Sequence, residues 1–247
     1  MSTHGWSQIR LAKLVLQPKE IYPVRGTDIL VVDTLVMEEG SRIILNQEKA
    51  ENFIHAKYIV IGNNCLIEGV GKKGEPGKPG LDGPNQPAPC KDGGPGFNAS
   101  AGTGGKTGLT LSMYLGHMVM NGSLIIDLNG GDGGDGGNGG SGGGGGSGTR
   151  VCPAGNGGNG GNGGSGGNGG VGGTLNLHCK DCPELHLWLG DKITVKNFGG
   201  FGGQAGDAGF AGKAGLGPMS DGLNGKKGKD GVHGRQGKRG GLFTFAD

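Results

Sequence analysis

The clearest metal-binding pattern in the sequence combines two cysteines with two histidines. Cys179 and Cys182 are spaced as Cys-x-x-Cys and are flanked by His178 and His186. Thiolate and imidazole groups are the usual ligands of zinc. However, no second cysteine pair accompanies them, and Cys179 continues an apolar strand alternation. The sequence therefore favours a core position or reduced thiols over a metal site, and it predicts no metal and no cofactor.

A second candidate, residues 100–107, is similar to a phosphate-binding loop. It reads Ser-Ala-Gly-Thr-Gly-Gly-Lys-Thr, with Ser100 where that loop needs glycine. The loop also needs a preceding strand and a following helix, and neither is indicated here. The sequence has no Gly-x-Ser-x-Gly motif in a strand context. We therefore predict a chain that is not an enzyme and binds no nucleotide.

Cys90 and Cys152 both lie in short turns between glycine-rich segments. If those turns lie at the same end of the molecule, the two cysteines either form a disulfide or simply pack there, because a sequence gives no distance. The chain has five cysteines, and this odd number leaves at least one unpaired within a monomer.

Charge and hydropathy exclude several classes of partner. The net charge is only +2, and the basic stretch 226–239 is interpreted as a solvated outer face, so we predict no nucleic-acid binding. No apolar stretch reaches the roughly 18 residues of a membrane span, so we predict no membrane insertion. The N-terminus lacks the apolar region of a signal peptide, which predicts synthesis in the cytoplasm.

The element that must position any site is a glycine lattice. Glycine accounts for 64 of the 247 residues, far above the usual ~7%. Most of these glycines recur every third residue in six runs, which are interrupted once, at Ala99. The runs are: run one, 71–83; run two, 93–108; run three, 131–146; run four, 155–173; run five, 200–215; run six, 222–240.

A strict three-residue period predicts helices of the polyproline-II kind rather than a flexible linker. Such helices have about three residues per turn, a rise of ~3.1 Å and no internal hydrogen bonds. Their N–H groups must therefore bond neighbouring chains, which can approach closely only where no Cβ intrudes. Runs three and four read x-Gly-Gly, which predicts interior positions, whereas the charged runs one and six are expected outside. Collagen-like trimers and disorder are the less favoured alternatives.

Alternating apolar segments between the runs predict strand–turn–strand rungs, for example at 35–45, 59–67, 118–126 and 187–195. The predicted fold is mainly β and irregular. It is a small β-solenoid or stacked sheet with three inserted polyglycine-II hairpins, whose six runs pack as a bundle.

This pattern also predicts the domain organisation. The division is an N-terminal docking or capping segment at 1–30, helical or extended; first β rungs at 31–70; and a polyglycine-II domain at 71–247, with β rungs at 109–129, 174–198 and 241–247.

Two features together resemble the tail-fibre tip adhesins of T-even-type bacteriophages. Strand rungs lead directly into glycine runs, as at 123–134, which reads Ser-Leu-Ile-Ile-Asp-Leu-Asn-Gly-Gly-Asp-Gly-Gly, and short turns separate the runs. This resemblance is architectural and covers roughly residues 55–245. It implies a polyglycine-II sandwich whose distal turns contact a bacterial outer-surface receptor, either protein or glycan. It also implies an N-terminal mount on a trimeric fibre and a location in a virion or extracellular particle, for host attachment.

By position, the resemblance places receptor contacts in three distal turns. The candidates are Gln86, Pro87, Pro89, Lys91, Asp92, Arg150, Val151, Pro153, Pro218, Met219 and Asp221. The same turns are alternatively plain linkers. Two other functions stay open for the chain: a structural spacer or shell subunit of a large assembly, and an ice-binding protein that uses the Asn and Ser positions of run four.

Overall fold

A computed structural model describes residues 10–25 and 29–246, and strands are its main regular secondary structure. In chain order, the elements within those ranges are β1 (Arg10–Leu16), β2 (Ile21–Pro23), β3 (Ile29–Met37), β4 (Arg42–Ile44), β5 (Glu51–Ile61), β6 (Cys65–Glu68), β7 (Thr110–Met120), β8 (Leu124–Asp127), β9 (Leu175–Asp181), α1 (Leu185–Trp188), β10 (Ile193–Lys196) and β11 (Leu242–Ala246). The predicted mainly β class is confirmed.

Consecutive strands alternate between two parallel sheets. The odd-numbered strands form a six-stranded sheet in the order β1-β3-β5-β7-β9-β11. The even-numbered strands form a five-stranded sheet in the order β10-β8-β6-β4-β2. The chain therefore crosses from one sheet to the other and returns one strand further along, so that like strands lie side by side in register.

The core of this part lies between the two sheets and consists of side chains. Ile54 pairs with Met113, which pairs with Leu177, and all three are at most 1% exposed. In the opposite sheet Ile67 pairs with Ile126, and both are fully buried. Strand alternation explains this arrangement, because every second side chain of a strand points to the same face of its sheet.

Residues 10–25 contain two strands, β1 and β2, which are joined by a turn and belong to the two sheets. β1 pairs with β3 and β2 pairs with β4, both in parallel. Of the two conformations that the sequence left open for this segment, these residues therefore adopt the strand. Residues 1–9, 26–28 and 247, which include part of the predicted docking or capping segment, lie outside the described residues.

The strand–turn–strand rung predicted at 187–195 is wrong in its first half. Helix α1 occupies Leu185–Trp188, and the strand begins only at Ile193. β9 ends at Asp181, whereas the neighbouring strands β5 and β7 continue in the sheet. At this point the chain leaves the sheet through a disulfide between Cys179 and Cys182, followed by Pro183. A four-residue helix cannot cross a bilayer, and within the described ranges no helix is long and apolar enough to do so.

Each glycine run continues a strand and bonds to other runs through its backbone. Runs one, three and five follow β6, β8 and β10, and runs two, four and six lead into β7, β9 and β11. Odd and even runs therefore form two layers. Runs three and four each bond to four other runs, whereas runs one and six bond to two each. This agrees with the interior position predicted from the x-Gly-Gly pattern.

Candidate functional site

Backbone hydrogen bonds hold the six runs in step along their length. The N–H of Gly74 donates to the carbonyl of Asp132 at 2.8 Å, and that of Gly134 donates to Thr103 at 2.9 Å. The same pattern repeats every third residue in each run. Because the register never slips, the three turns between the paired runs lie at the same end of the lattice. We call this end the distal tip and define it as residues 84–92, 147–154 and 216–221.

Side-chain oxygens satisfy a further set of N–H groups on the outer faces of the layers. The Oδ1 atom of Asp132 accepts from the N–H of Phe201 at 2.8 Å, and that of Asn159 accepts from Lys226 at 2.8 Å. The other acceptors of this kind between runs three and five, or between runs four and six, are Asn129, Asp135, Asn138, Asn156, Asn162, Ser165 and Asn168. The non-glycine residue of x-Gly-Gly is therefore an acceptor, which explains why it is so often Asn, Asp or Ser.

Between runs six and five the acceptors include Asp230, whose Oδ1 accepts from the N–H of Ala208 at 2.8 Å. This hydrogen bond, together with the nearby charge of Lys227, holds the pKa of Asp230 below its usual value. The carboxylate is thus kept in the form that accepts.

The three turns of the tip are joined to one another. Cys90 and Cys152 form a disulfide that connects the first turn to the second, and the Cys90 N–H donates to the Ser147 carbonyl at 2.9 Å. The second turn contacts the third: the N–H of Gly148 donates to Leu216 at 2.9 Å and that of Ala154 donates to Ser220 at 3.0 Å. The tip is therefore one connected surface rather than three independent loops.

Most of the predicted contact residues are exposed, and two of them also accept backbone hydrogen bonds. Val151 is 89% exposed and Met219 is 61% exposed, so both are available to a partner. Asp92 and Asp221 are exposed as well, and their Oδ1 atoms accept from the N–H groups of Asn156 at 2.7 Å and Gly217 at 3.0 Å. Gln86 is half-buried. The remaining candidates are exposed: Pro87, Pro89, Lys91, Arg150, Pro153 and Pro218.

Sequence reasoning missed two apolar side chains, one within the distal tip and one next to it. Leu216 is 71% exposed at the start of the third turn, and Leu223 is 75% exposed just after it. Both occupy outward positions of the glycine period. An apolar residue at such a position next to a turn is the signal that would have identified them.

The weak metal candidates do not form a metal centre in this structure. Cys179 and Cys182 are nearly fully buried, in line with the predicted core position, but they are joined in a disulfide rather than reduced, so neither offers a thiolate. His178 is stacked between Tyr114, at 4.8 Å between ring centroids, and Phe245, at 4.3 Å. His186 lies on α1. Among the described residues, no group of three or more potential ligands could hold a metal ion.

The residues of the apparent phosphate loop belong to run two. The hydroxyls of Ser100 and Thr103 accept hydrogen bonds from the N–H groups of Lys78 and Glu75, both at 2.7 Å. The segment is extended and leads into strand β7 rather than into a helix. These side chains therefore hold run one against run two.

Cys65 is the free cysteine of the described chain, and it is fully buried. Burial raises the pKa of its thiol, so it is poorly suited to act as a nucleophile. Its sulfur lies 3.3 Å from the carbonyl of Glu38 and 3.4 Å from that of Met37. It packs as a core residue.

Comparisons of this chain with protein-family models, with curated proteins and with solved structures find no match.

Proposed function

We propose that this chain is a non-enzymatic receptor-binding module, the tip of a phage tail fibre or of a phage-like injection machine. The observation that carries the proposal is the distal tip, where a disulfide and backbone hydrogen bonds hold three turns together with Val151 and Met219 exposed. The class of partner, a bacterial outer-surface receptor, follows from the resemblance to T-even tip adhesins.

The finer fold belongs to the same proposal. The runs are taken as polyglycine-II helices, since each bonds to its neighbours at every third residue. The alternating sheets are taken as a small β-solenoid into which the three helix hairpins are inserted. A rod of this kind is rigid, and binding residues concentrate on loops that a rigid scaffold positions.

Exposed apolar side chains on a fixed surface favour recognition over a linker role. Val151 and Met219 lie on different turns, and an apolar surface held rigid loses little conformational entropy on binding. Lys91 and Arg150 add positive charge on the first and second turns. The tip therefore exposes both apolar and charged side chains, a mixture that protein-binding surfaces also have.

A pull-down on bacterial outer surfaces tests the proposal. We expect the purified chain to bind cells of a susceptible host, and we expect at least a tenfold loss when the three turns are replaced together by Gly/Ser turns that retain Cys90 and Cys152. A smaller change, Val151→Ser with Met219→Ser, should lose about half of the bound fraction or more.

The matched control is Leu187→Ser, because Leu187 is 62% exposed but lies on α1, at the sheet end of the molecule. It should bind like the unchanged chain. Unchanged binding after replacement of all three turns would reject the tip as the recognition surface.

A structural spacer is the second candidate, and one surface row favours it. Phe201 and Phe210 of run five, and Phe198 just before the run, recur at multiples of three residues and are 69%, 72% and 53% exposed. Rows of exposed aromatic side chains are typical of surfaces that become buried in assemblies. Sedimentation of the isolated chain separates the two candidates, because a stable monomer argues against an obligate shell subunit.

A further inference from the structure

Run six concentrates positive charge along one side of the lattice. Between residues 222 and 240, six basic residues stand against one acidic residue, a formal charge of +5, while the whole chain carries +2. The rest of the molecule therefore carries −3. The basic residues of the run are Lys226, Lys227, Lys229, Arg235, Lys238 and Arg239.

Four of these cations form a straight row. Lys226, Lys229, Arg235 and Lys238 occupy positions three or six residues apart, and all four are exposed. Three residues of such a helix advance by roughly 9 Å, so the row extends over about 37 Å. We call these four residues the basic row.

The backbone under the basic row is held in place. The N–H groups of Lys226, Lys229 and Arg235 donate to Asn159, Asn162 and Asn168, each at 2.8 Å. Because the backbone is already fixed at these three positions, a ligand that meets the row has only to order the side chains.

The lattice itself does not require cations at these positions. The corresponding row of run four carries Asn and Ser oxygens that accept N–H groups of run six, and Asn98 of run two accepts the N–H of Asn162 in the same way. The basic row of run six faces no further run among the described residues, although other side chains of this run accept N–H groups of run five. Run one, the other outer run, mixes three lysines with Glu75 and Asp82 and sums to +1. An outer position therefore does not account for the excess charge of run six.

The basic row is also free of acidic partners. Lys227, outside the row, pairs with Asp230 at 3.5 Å. Arg239 is held by the Oδ1 atom of Asn197 at 2.9 Å and lies over the ring of Phe198 at 4.9 Å. Within residues 10–25 and 29–246, none of the four cations of the row forms an ion pair.

We propose that the basic row binds a linear acidic polysaccharide through its carboxylate or sulfate groups. An extended glycan can follow a straight row of separated charges, whereas the phosphates of duplex DNA wind around the helix axis and meet such a row only briefly. Single-stranded nucleic acid is normally held by aromatic stacking, and residues 222–240 contain no Phe, Tyr or Trp. This surface lies along the side of the lattice and is separate from the distal tip.

Binding of the full chain to heparin, with dextran as the neutral polysaccharide, tests this proposal. We expect binding to heparin at 50 mM salt that weakens steeply as salt rises, because bound counterions are released, and no binding to dextran. Replacing the four cations of the basic row by Gln should weaken binding at least tenfold. Replacing Lys226, Lys229 and Lys238 by Arg, which keeps the charge, should leave binding within about twofold.

The matched control replaces Lys72, Lys73 and Lys78 of run one by Gln and should change binding less than threefold. Equal losses in the two variants would show that only net charge matters and would overturn the proposal. Tighter binding to duplex DNA or to anionic lipid vesicles than to heparin, lost in the basic-row variant, would also overturn it. An unchanged melting temperature for each variant establishes that the fold is intact.

Discussion

The two ends of this molecule fill the space between their layers in opposite ways. At the sheet end, buried side chains such as Ile54 and Ile126 separate the two sheets, and stacked sheets lie about 10 Å apart. At the tip end, the same two layers continue as glycine runs and bond to each other directly, as where Gly161 donates to Gly140 at 2.8 Å. The sheet end is stabilised by buried apolar side chains. The tip end is stabilised by hydrogen bonds between backbones, which can approach closely because glycine has no Cβ.

This difference determines what each end tolerates. In the side-chain core, removing atoms leaves a cavity, whereas adding atoms to the lattice forces backbones apart. The sheet end should therefore be most sensitive to truncation, and the tip end to enlargement. The following substitutions test this contrast, beginning with the largest effect.

Gly161→Val should be the most damaging substitution, because a Cβ at this interior position would overlap the carbonyl of Phe97. We expect a loss of more than about 4 kcal/mol in the free energy of unfolding, or no soluble folded protein. Gly104→Ala is the matched control, since its nearest neighbour would be the carbonyl oxygen of Asn168 at 3.4 Å. It should change stability by less than about 0.5 kcal/mol. Urea unfolding compares the two, and similar losses would contradict a lattice in which glycine is required.

Ile126→Ala should cost about 3 kcal/mol, because Ile126 is fully buried between the sheets and its truncation leaves a cavity. The neighbouring Ile125 points to the opposite face of the same strand and is half-buried. Ile125→Ala should therefore cost less than about half as much. Denaturation curves for the pair measure the difference, and a larger loss at Ile125 would mean that the core lies on the other side.

The two disulfides provide the third comparison. Cys90–Cys152 closes a loop with a sequence separation of 62, whereas Cys179–Cys182 spans only three. A longer loop restricts the unfolded chain more, so replacing Cys90 and Cys152 by Ala should cost about 3 kcal/mol. The same change at Cys179 and Cys182 should cost clearly less. Melting temperatures measure both, and the reverse order would show that the tip is stable without its cross-link.

The smallest effect is expected for Asn162→Ser, about 0.5 kcal/mol or less. Asn162 accepts the N–H of Lys229 at 2.8 Å, and Ser165 performs the same role for Val232 at 3.3 Å. Asn162→Ala removes the acceptor and should cost about 1 kcal/mol. Hydrogen exchange at the Lys229 amide reports this directly. If the Lys229 amide exchanges at the same rate in the Asn162→Ser and Asn162→Ala variants, the side-chain acceptor contributes nothing to its protection.

Much of the fold could be predicted because its signals are periodic. The spacing of glycine identified all six runs, and the bare edges of x-Gly-Gly correctly placed runs three and four inside. Alternating apolar residues identified the rungs at 59–67 and 118–126. The same reasoning failed at 187–195, because a Cys-x-x-Cys disulfide and Pro183 interrupt the strand there. The position of that interruption depends on a tertiary cross-link, which the alternation does not encode.

The candidate site was less predictable than the scaffold. Turn positions follow from the gaps between runs, but roles within a turn depend on neighbours in space. Asp92 and Asp221 were predicted as contact residues from position alone, and the structure adds that both accept backbone hydrogen bonds; Leu216 was overlooked and is exposed.

By itself, the sequence determined where close backbone approach is possible, because the absence of a Cβ is a property of each residue and its period is visible along the chain. It also determined which segments can bury apolar side chains. Only the tertiary structure decided that the layers of the sheets continue as the layers of the lattice, that Asn and Asp oxygens hold the neighbouring runs, and that Cys90 meets Cys152 at the tip. These outcomes depend on which runs are neighbours and in what register, and such relations exist only after the chain has folded.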